Sequence, residues 1–265
     1  MGGDINLCGR IRLTMKKIVI ANWKMNPEFT LKAKVLFDAM KKISKRFPNV
    51  SLVVAPPYIY ISKLVSKRKN LLLGAQNVFF ESRGAFTGEI SATMLSSFAV
   101  KFVIIGHSER RALGESDSEI SKKIKASLRS SLTPILCIGE KEHDHHGDYL
   151  AFLRDQIRHS LQGIQRKDIS KIVIAYEPLW AIGKTAKDAV SPRILHETVI
   201  YIRKVFSEIY GRQTSESIKI IYGGSVEAEN ANELVREGRV DGFLVGHASL
   251  DSREFSHIVE AVAKK

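Results

Sequence analysis

Glu177 ends an apolar run in KIVIAYEPLWAIG (171–183), and a carboxylate delivered to one fixed place beside apolar surface is suited to act as a general base. Pro178 follows at once. It has no N–H to give a ladder and its ring fixes φ, so the strand has to end there and leave Glu177 at its mouth. Other residues able to do chemistry stand at comparable positions: Asn22 and Lys24 after one apolar run, Gly106-His107-Ser108-Glu109 after another, Gly223-Gly224-Ser225 and Gly246-His247 after two more. A carboxylate base facing a neutral imidazole and a lysine can remove a proton next to a carbonyl, while the other two stabilise the enediolate that forms. The glycines allow backbone N–H groups to approach an anion closely. A small phosphorylated carbonyl compound is the substrate class these groups suit. Each also has a plainer reading. Glu177 could cap a helix or pair with a lysine, Lys24 and Glu109 could be a buried ion pair, His107 a core histidine on a glycine-flanked turn, and the glycines mere turn formers. What separates the readings is whether these residues meet in space.

The elements that must position them recur with a regular rhythm. Runs rich in Ile, Val and Leu occur at 18–21, 52–55, 71–74, 102–105, 135–138, 172–175, 218–222 and 243–245, with helical periodicity between most of them, as in 31–47, 118–131, 149–161 and 193–209. Strand then helix, repeated eight times, predicts a single (β/α)8 barrel, eight parallel strands ringed by helices. A doubly wound open sheet is the alternative, but it usually shows a glycine-rich turn after its first strand, where this chain has Asn22-Trp23-Lys24-Met25-Asn26. In a barrel the ends of all eight strands converge on one face, so Lys24, His107 and Glu177 are expected to share a pocket.

At 265 residues and 44% hydrophobic the chain suits one α/β barrel, and no composition shift or linker favours two domains. Met15 offers a second start just before the first strand, so residues 1–14 are expected to be an extension or tag outside the fold and 15–265 the barrel domain. The two cysteines, Cys8 and Cys137, lie far apart and Cys137 sits in a strand-like run, which predicts a reducing, cytoplasmic setting with no disulfide framework. No apolar run approaches the length of a membrane span. The formal net charge of +13 invites nucleic-acid binding. Against it, Lys41, Lys42, Lys45 and Arg46, and again Lys63, Lys67, Arg68 and Lys69, follow helix faces without interleaved aromatic platforms. No nucleic-acid or membrane partner is expected.

The strings IANWKMN from Ile20, GAFTGEIS from Gly84, IIGHSERR from Ile104, CIGE from Cys137, AYEPLWAIG from Ala175, YGGSV from Tyr222 and LVGHASL from Leu244 resemble the triosephosphate isomerase family, in that family's order and over residues 17–264. The resemblance implies a TIM barrel that interconverts dihydroxyacetone phosphate and glyceraldehyde 3-phosphate through an enediolate. It makes Glu177 the base, His107 the electrophile, Lys24 a source of positive charge and Asn22 a hydrogen-bond partner of the enediolate. Gly183, Ser225 and Gly246 would grip the phosphate with His247 beside them, and a lid starting at Pro178 would close over it. It implies no cofactor and no metal. The loop Asn77 to Gly88, with Phe79, Phe80 and Phe86, would dock into a second subunit to make a homodimer, with Thr87 reaching the neighbour's Asn22 and Lys24 region. Folding back on its own barrel is the other course open to those aromatics. The run His143, Asp144, His145, His146 lacks the spacing of a dedicated metal site and is expected to be a solvated loop.

Three departures from the family pattern stand out. Lys184-Thr185-Ala186 follows AIG where a second glycine is usual, and the next helix starts late, at Ser191-Pro192. His247 replaces the second glycine of the usual phosphate loop, either crowding the anion or adding a donor. The turn between Arg111 and Gly114 is one residue short. These leave two competing functions, an isomerase of another short-chain ketose phosphate and a non-catalytic sugar-phosphate-binding protein.

Overall fold

The structure, a computed structural model, describes residues 17–64, 69–144, 146–181, 183 and 189–264. Eight strands, β1 (Lys17–Asn22), β2 (Val50–Ala55), β3 (Leu71–Ala75), β4 (Val100–Ile105), β5 (Thr133–Ile138), β6 (Val173–Tyr176), β7 (Lys219–Tyr222) and β8 (Gly242–Val245), form a closed barrel in sequence order. All pairings are parallel, and closure sets Ile18 to Ala21 of β1 opposite Gly242 to Val245 of β8. Eleven helices surround the barrel among the described residues: α1 (Thr30–Arg46), α2 (Tyr58–Ile61), α3 (Ala92–Ser97), α4 (Ser108–Ala112), α5 (Asp117–Arg129), α6 (Asp148–Ser160), α7 (Arg166–Ile169), α8 (Pro192–Tyr210), α9 (Arg212–Ser217), α10 (Ala228–Glu237) and α11 (Ser252–Ala263). This is the TIM barrel expected from the strand–helix rhythm.

The strands read as unbroken apolar runs because both of their faces are buried. Ile18, Ile20, Val53, Phe102, Ile104, Ile135, Val173 and Leu244 fill the barrel interior. Their alternate neighbours, Val19, Leu52, Val54, Val103, Leu136 and Ile174, face the helices. Helix α8 shows how the outer ring is fixed. Ser191 Oγ accepts a hydrogen bond from the Ile194 N–H at 3.3 Å, Pro192 occupies the first turn, and Leu195, Val199, Ile202, Val205 and Phe206 are buried on one face. Each such side chain contributes roughly 1.5–3 kcal/mol on burial.

Several strands start one or two residues earlier than their apolar runs suggest, at Lys17, Val50, Val100 and Thr133. Parallel pairing extends the ladder through polar residues that hydropathy does not mark. Helices α2, α7 and α9 are too short to show a period. Residues 1–14, Lys67 and Arg68 lie outside the described residues. Cys137 is a buried free thiol. No helix among the described residues is long and apolar enough to cross a membrane.

Candidate active site

The eight residues to which the family resemblance gives catalytic or phosphate-binding places line one cavity of about 910 Å³ at the carboxyl ends of the strands: Asn22, Lys24, His107, Glu177, Gly183, Ser225, Gly246 and His247. Strand topology alone accounts for this meeting. Residues separated by up to 225 positions share a face because each terminates a parallel strand or lies in the loop after it.

Glu177 is held from both sides. Its N–H donates to Ile138 O at 2.7 Å and its Oε2 accepts from the Ser108 N–H at 3.3 Å. Only 2% of the residue is exposed, and Oε1 has no hydrogen-bond partner. Two glycines make room for it. A Cβ on Gly223 would stand 2.7 Å from Glu177 Cγ, and one on Gly139 would stand 1.9 Å from the Glu177 carbonyl oxygen. Beneath the carboxylate lies Cys137. Burial pushes its thiol pKa well up and the Glu177 charge pushes it further, so it stays protonated.

His107 precedes α4, and its Nδ1 accepts from the Glu109 N–H at 3.2 Å. A ring nitrogen that accepts carries no proton, which leaves Nε2 as the N–H of the neutral ring. That nitrogen faces Glu177 Oε1 at 3.7 Å. Arg111 braces the loop, since its Nε donates to Gly106 O at 2.8 Å and its Nη1 to Asp117 Oδ1 at 2.7 Å. The short turn after Arg111 carries Glu115 back beneath the same loop, where Oε2 accepts from the Gly106 N–H at 3.2 Å.

Lys24 adopts φ 51°, the left-handed region that costs a residue with a Cβ and recurs at functional sites. Two side chains stabilise it there: Asn22 Oδ1 accepts from the Lys24 N–H at 3.1 Å, and Gln76 Nε2 donates to Lys24 O at 2.8 Å. Lys24 Nζ meets Glu109 Oε1 at 2.5 Å. That pair is not the buried one the sequence allowed, because its side chains are 35% and 59% exposed. Solvent screening makes such a pair weak, so Lys24 can exchange Glu109 for a bound anion at little cost.

The segment after Pro178 begins in a 3-10 turn, Leu179–Ala181, tied to the barrel at three points. Leu179 N–H donates to Glu140 O at 2.9 Å, Trp180 Nε1 to Glu140 Oε1 at 2.8 Å, and Ser225 Oγ to Ala181 O at 2.9 Å. Residues 184–188, which carry the departure Lys184-Thr185-Ala186, lie outside the described residues; the following helix starts at Pro192 with Ser191 as its N-cap, the position expected from the sequence. His247 is exposed on the cavity rim and opens the 3-10 turn His247–Leu250.

In the loop after β5, His146 is exposed as a solvated run implies, but His143 turns inward. His143 packs on Tyr149 and Trp180, with ring centroids 3.9 and 5.3 Å away. Asp144 accepts four backbone N–H groups, from His146, Gly147, Asp148 and Tyr149, at the start of α6. Burial alone would raise the Asp144 carboxyl, but those donors outweigh it and hold it at about 2. His145 lies outside the described residues. Among the described residues, no three His, Cys, Asp or Glu side chains gather as a metal ion would require.

Sequence reasoning missed Gln76, Gly139 and Glu140. Gln76 follows β3 directly, so the strand-end rule that found Lys24 and His107 would have found it too. Gly139 and Glu140 sit within the CIGE string with no signal of what they touch.

The sequence profile described as "Triosephosphate isomerase" matches residues 17–262. A protein named triosephosphate isomerase from Caldanaerobacter subterraneus subsp. tengcongensis is 40% identical over 253 residues, covering 92% of this chain and 98% of its own. One of the same name from Dictyoglomus turgidum is 38% identical over 250 residues, covering 93% and 99%. A third, from Dehalococcoides mccartyi strain CBDB1, is 40% identical over 254 residues, covering 94% and 98%. With a strand-end constellation, a closed eight-stranded barrel and relatives matched along almost their whole length, the chain belongs to the triosephosphate isomerase family.

Proposed function

We propose that this protein interconverts dihydroxyacetone phosphate and glyceraldehyde 3-phosphate by moving one proton between adjacent carbons. The observation that carries the reading is the buried Oε1 of Glu177, which has no hydrogen-bond partner and faces His107 Nε2 at 3.7 Å. A buried acceptor left unsatisfied is a cost to the free protein that a substrate C–H between these groups would put to use. Glu177 takes the proton from carbon, and His107 Nε2–H donates to the oxygen on which negative charge develops. Lys24 and Asn22 stabilise the enediolate, a proton passes from the former hydroxyl oxygen to the former carbonyl oxygen through His107 Nε2, and the proton on Glu177 returns to the neighbouring carbon. The Ser108 contact on Oε2 is long at 3.3 Å, so little is lost as the carboxylate turns to its work.

Backbone groups of Gly183, Ser225 and Gly246 hold the phosphate, with His247 at the rim. The lid from Pro178 closes over the intermediate and keeps water out. The basic net charge assists capture of a small dianion. We also infer a homodimer in the cytoplasm. Met25 is 93% exposed and Phe86 44%, and Phe79 packs on both Phe80 and Phe86 in the 77–88 loop, leaving an apolar surface that a second copy would cover, with Thr87 directed at the neighbour's Lys24 region.

A coupled assay with glyceraldehyde 3-phosphate beside a four-carbon ketose phosphate tests the reaction. Turnover of the triose is expected to dominate. Turnover of neither compound, or of the four-carbon compound alone, would remove this reading.

A further inference from the structure

The formal net charge of +13 is not spread evenly over this barrel. Helices that run back toward the strand starts bring their last turns to the barrel end opposite the cavity, and several of those turns are basic. Arg46 of α1, Arg129 of α5, Arg158 of α6, Arg166 and Lys167 of α7 and Arg236 of α10 are all exposed there. The helix macrodipole favours cations at C-termini and accounts for that set. It does not account for the strands. A Lys or Arg lies within four residues of the first residue of each of the eight strands, and of these Lys69, Lys101, Lys171 and Arg239 belong to no helix and are exposed.

The carboxylates at this end are largely spent. Asp168 pairs with Lys171 at 2.7 Å and Glu216 with Arg212 at 2.7 Å. Glu260 meets Lys264 at 3.0 Å and Arg46 at 3.6 Å, and Asp241 meets Arg203 at 3.4 Å and Lys17 at 3.5 Å. Among the described residues, Glu237 forms no salt bridge, and neither do Lys69, Lys101, Arg129, Arg158, Arg166 and Lys167. The mouth is built the other way, with Asp117, Glu119, Asp148, Glu229 and Glu254 in the first turns of its helices. Gathering unpaired cations at one end costs the free protein self-repulsion, which an anionic partner relieves.

The closed strand order spreads these cations around the whole ring of strand starts. A nucleic-acid strand or duplex is linear and would draw on a stripe of them, whereas a plane of negative charge engages the ring at once. The dimer inferred above uses Met25 and the 77–88 loop, which follow strand ends, so it leaves this end uncovered. We propose that the strand-start end of the barrel docks by charge on an anionic lipid bilayer, with the cavity turned toward water. The expectation of no membrane partner rested on the lack of a span, and a face that binds through charge alone needs none. The docking is independent of the isomerase reading.

Co-sedimentation with vesicles of equal parts phosphatidylglycerol and phosphatidylcholine, at about 0.1 M salt, tests it against vesicles of phosphatidylcholine alone. The wild type is expected to bind the mixed vesicles and not the neutral ones. It should be released at about 1 M salt, where the screening length falls to about 3 Å. Arg129→Glu, Arg158→Glu and Lys167→Glu combined should weaken binding at least about tenfold. Lys32→Glu, Lys34→Glu and Arg193→Glu combined, the same change of net charge in the early turns of α1 and α8, should weaken it less than about threefold. Arg129→Gln, Arg158→Gln and Lys167→Gln combined should give an intermediate loss, and serve if the Glu combination fails to fold. No binding by the wild type, equal binding to neutral vesicles, equal loss in the two Glu combinations, or an unchanged Gln combination would overturn the proposal. Duplex RNA that stripped the wild type from the vesicles at a phosphate concentration below theirs would assign this end to nucleic acid and overturn it as well.

Discussion

His107 Nε2 and Glu177 Oε1 face each other 3.7 Å apart at the mouth of the barrel, the first fixed by a backbone donor on Nδ1, the second by one on Oε2. An imidazole nitrogen and a carboxylate oxygen are thus aimed at one another through the atoms left free, as the proposed electrophile and base would need. Replacing Glu177 by Gln keeps the shape and removes the basic oxygen. The variant should retain substrate binding while kcat falls by at least about 100-fold. Steady-state kinetics on purified protein check this, and a smaller fall would take the base role away from Glu177.

The two glycines around Glu177 should behave differently. In Gly223→Ala the new methyl would lie 2.7 Å from Glu177 Cγ, so the carboxylate must shift while the fold survives. A misplacement on this scale predicts a kcat reduced about 10- to 100-fold with Tm little changed. In Gly139→Ala the methyl would meet the Glu177 carbonyl at 1.9 Å, where only backbone can give way. That variant should lose thermal stability as well as activity. Equal Tm values for the two variants would show that the strand ends are more pliable than these contacts imply.

Much of the site could be read from the chain because chemistry and punctuation coincide. Pro178 marks the end of β6 one residue after Glu177, and Gly106 does the same beside His107, so the rule that barrel strands deliver side chains to one face is enough to place the cavity. What could not be read are the braces. Gln76 reaches Lys24 O across 52 positions, and Gly139 matters only because another backbone passes over it. Nothing in local composition encodes either contact. The charged run after β5 was misleading for the same reason. Polarity suggests solvent, yet Asp144 spends its carboxylate on a helix start and His143 turns inward onto Trp180.

The loop aromatics lead to a prediction about assembly. A fully exposed methionine next to Lys24 and a cluster of rings in the 77–88 loop are costly to leave in water. Sedimentation equilibrium should give twice the 29.7 kDa of one chain for the wild type. Met25→Arg should give single chains with reduced activity, because a lost interface also frees the Lys24 loop that it buttresses. A wild type sedimenting as single chains would refute the dimer.

Asp144 makes a prediction about acid stability whose sign follows from its environment. Its carboxyl titrates at about 2 in the folded chain, against 3.8 for an unconstrained aspartate, because four backbone donors bind the charged form more than burial disfavours it. A folded value below the unfolded one means that the native state holds its proton less tightly. The stabilisation is therefore complete above about pH 4 and is lost as pH falls toward 2. Asn in its place keeps one carbonyl acceptor but no charge, so Asp144→Asn should melt below the wild type at pH 7, and the gap should narrow between pH 5 and 2.5. Other carboxylates titrate in both proteins and cancel in the difference. Melting curves across that range measure it, and a gap that stayed constant or widened toward acid would mean that the Asp144 charge does not stabilise the start of α6.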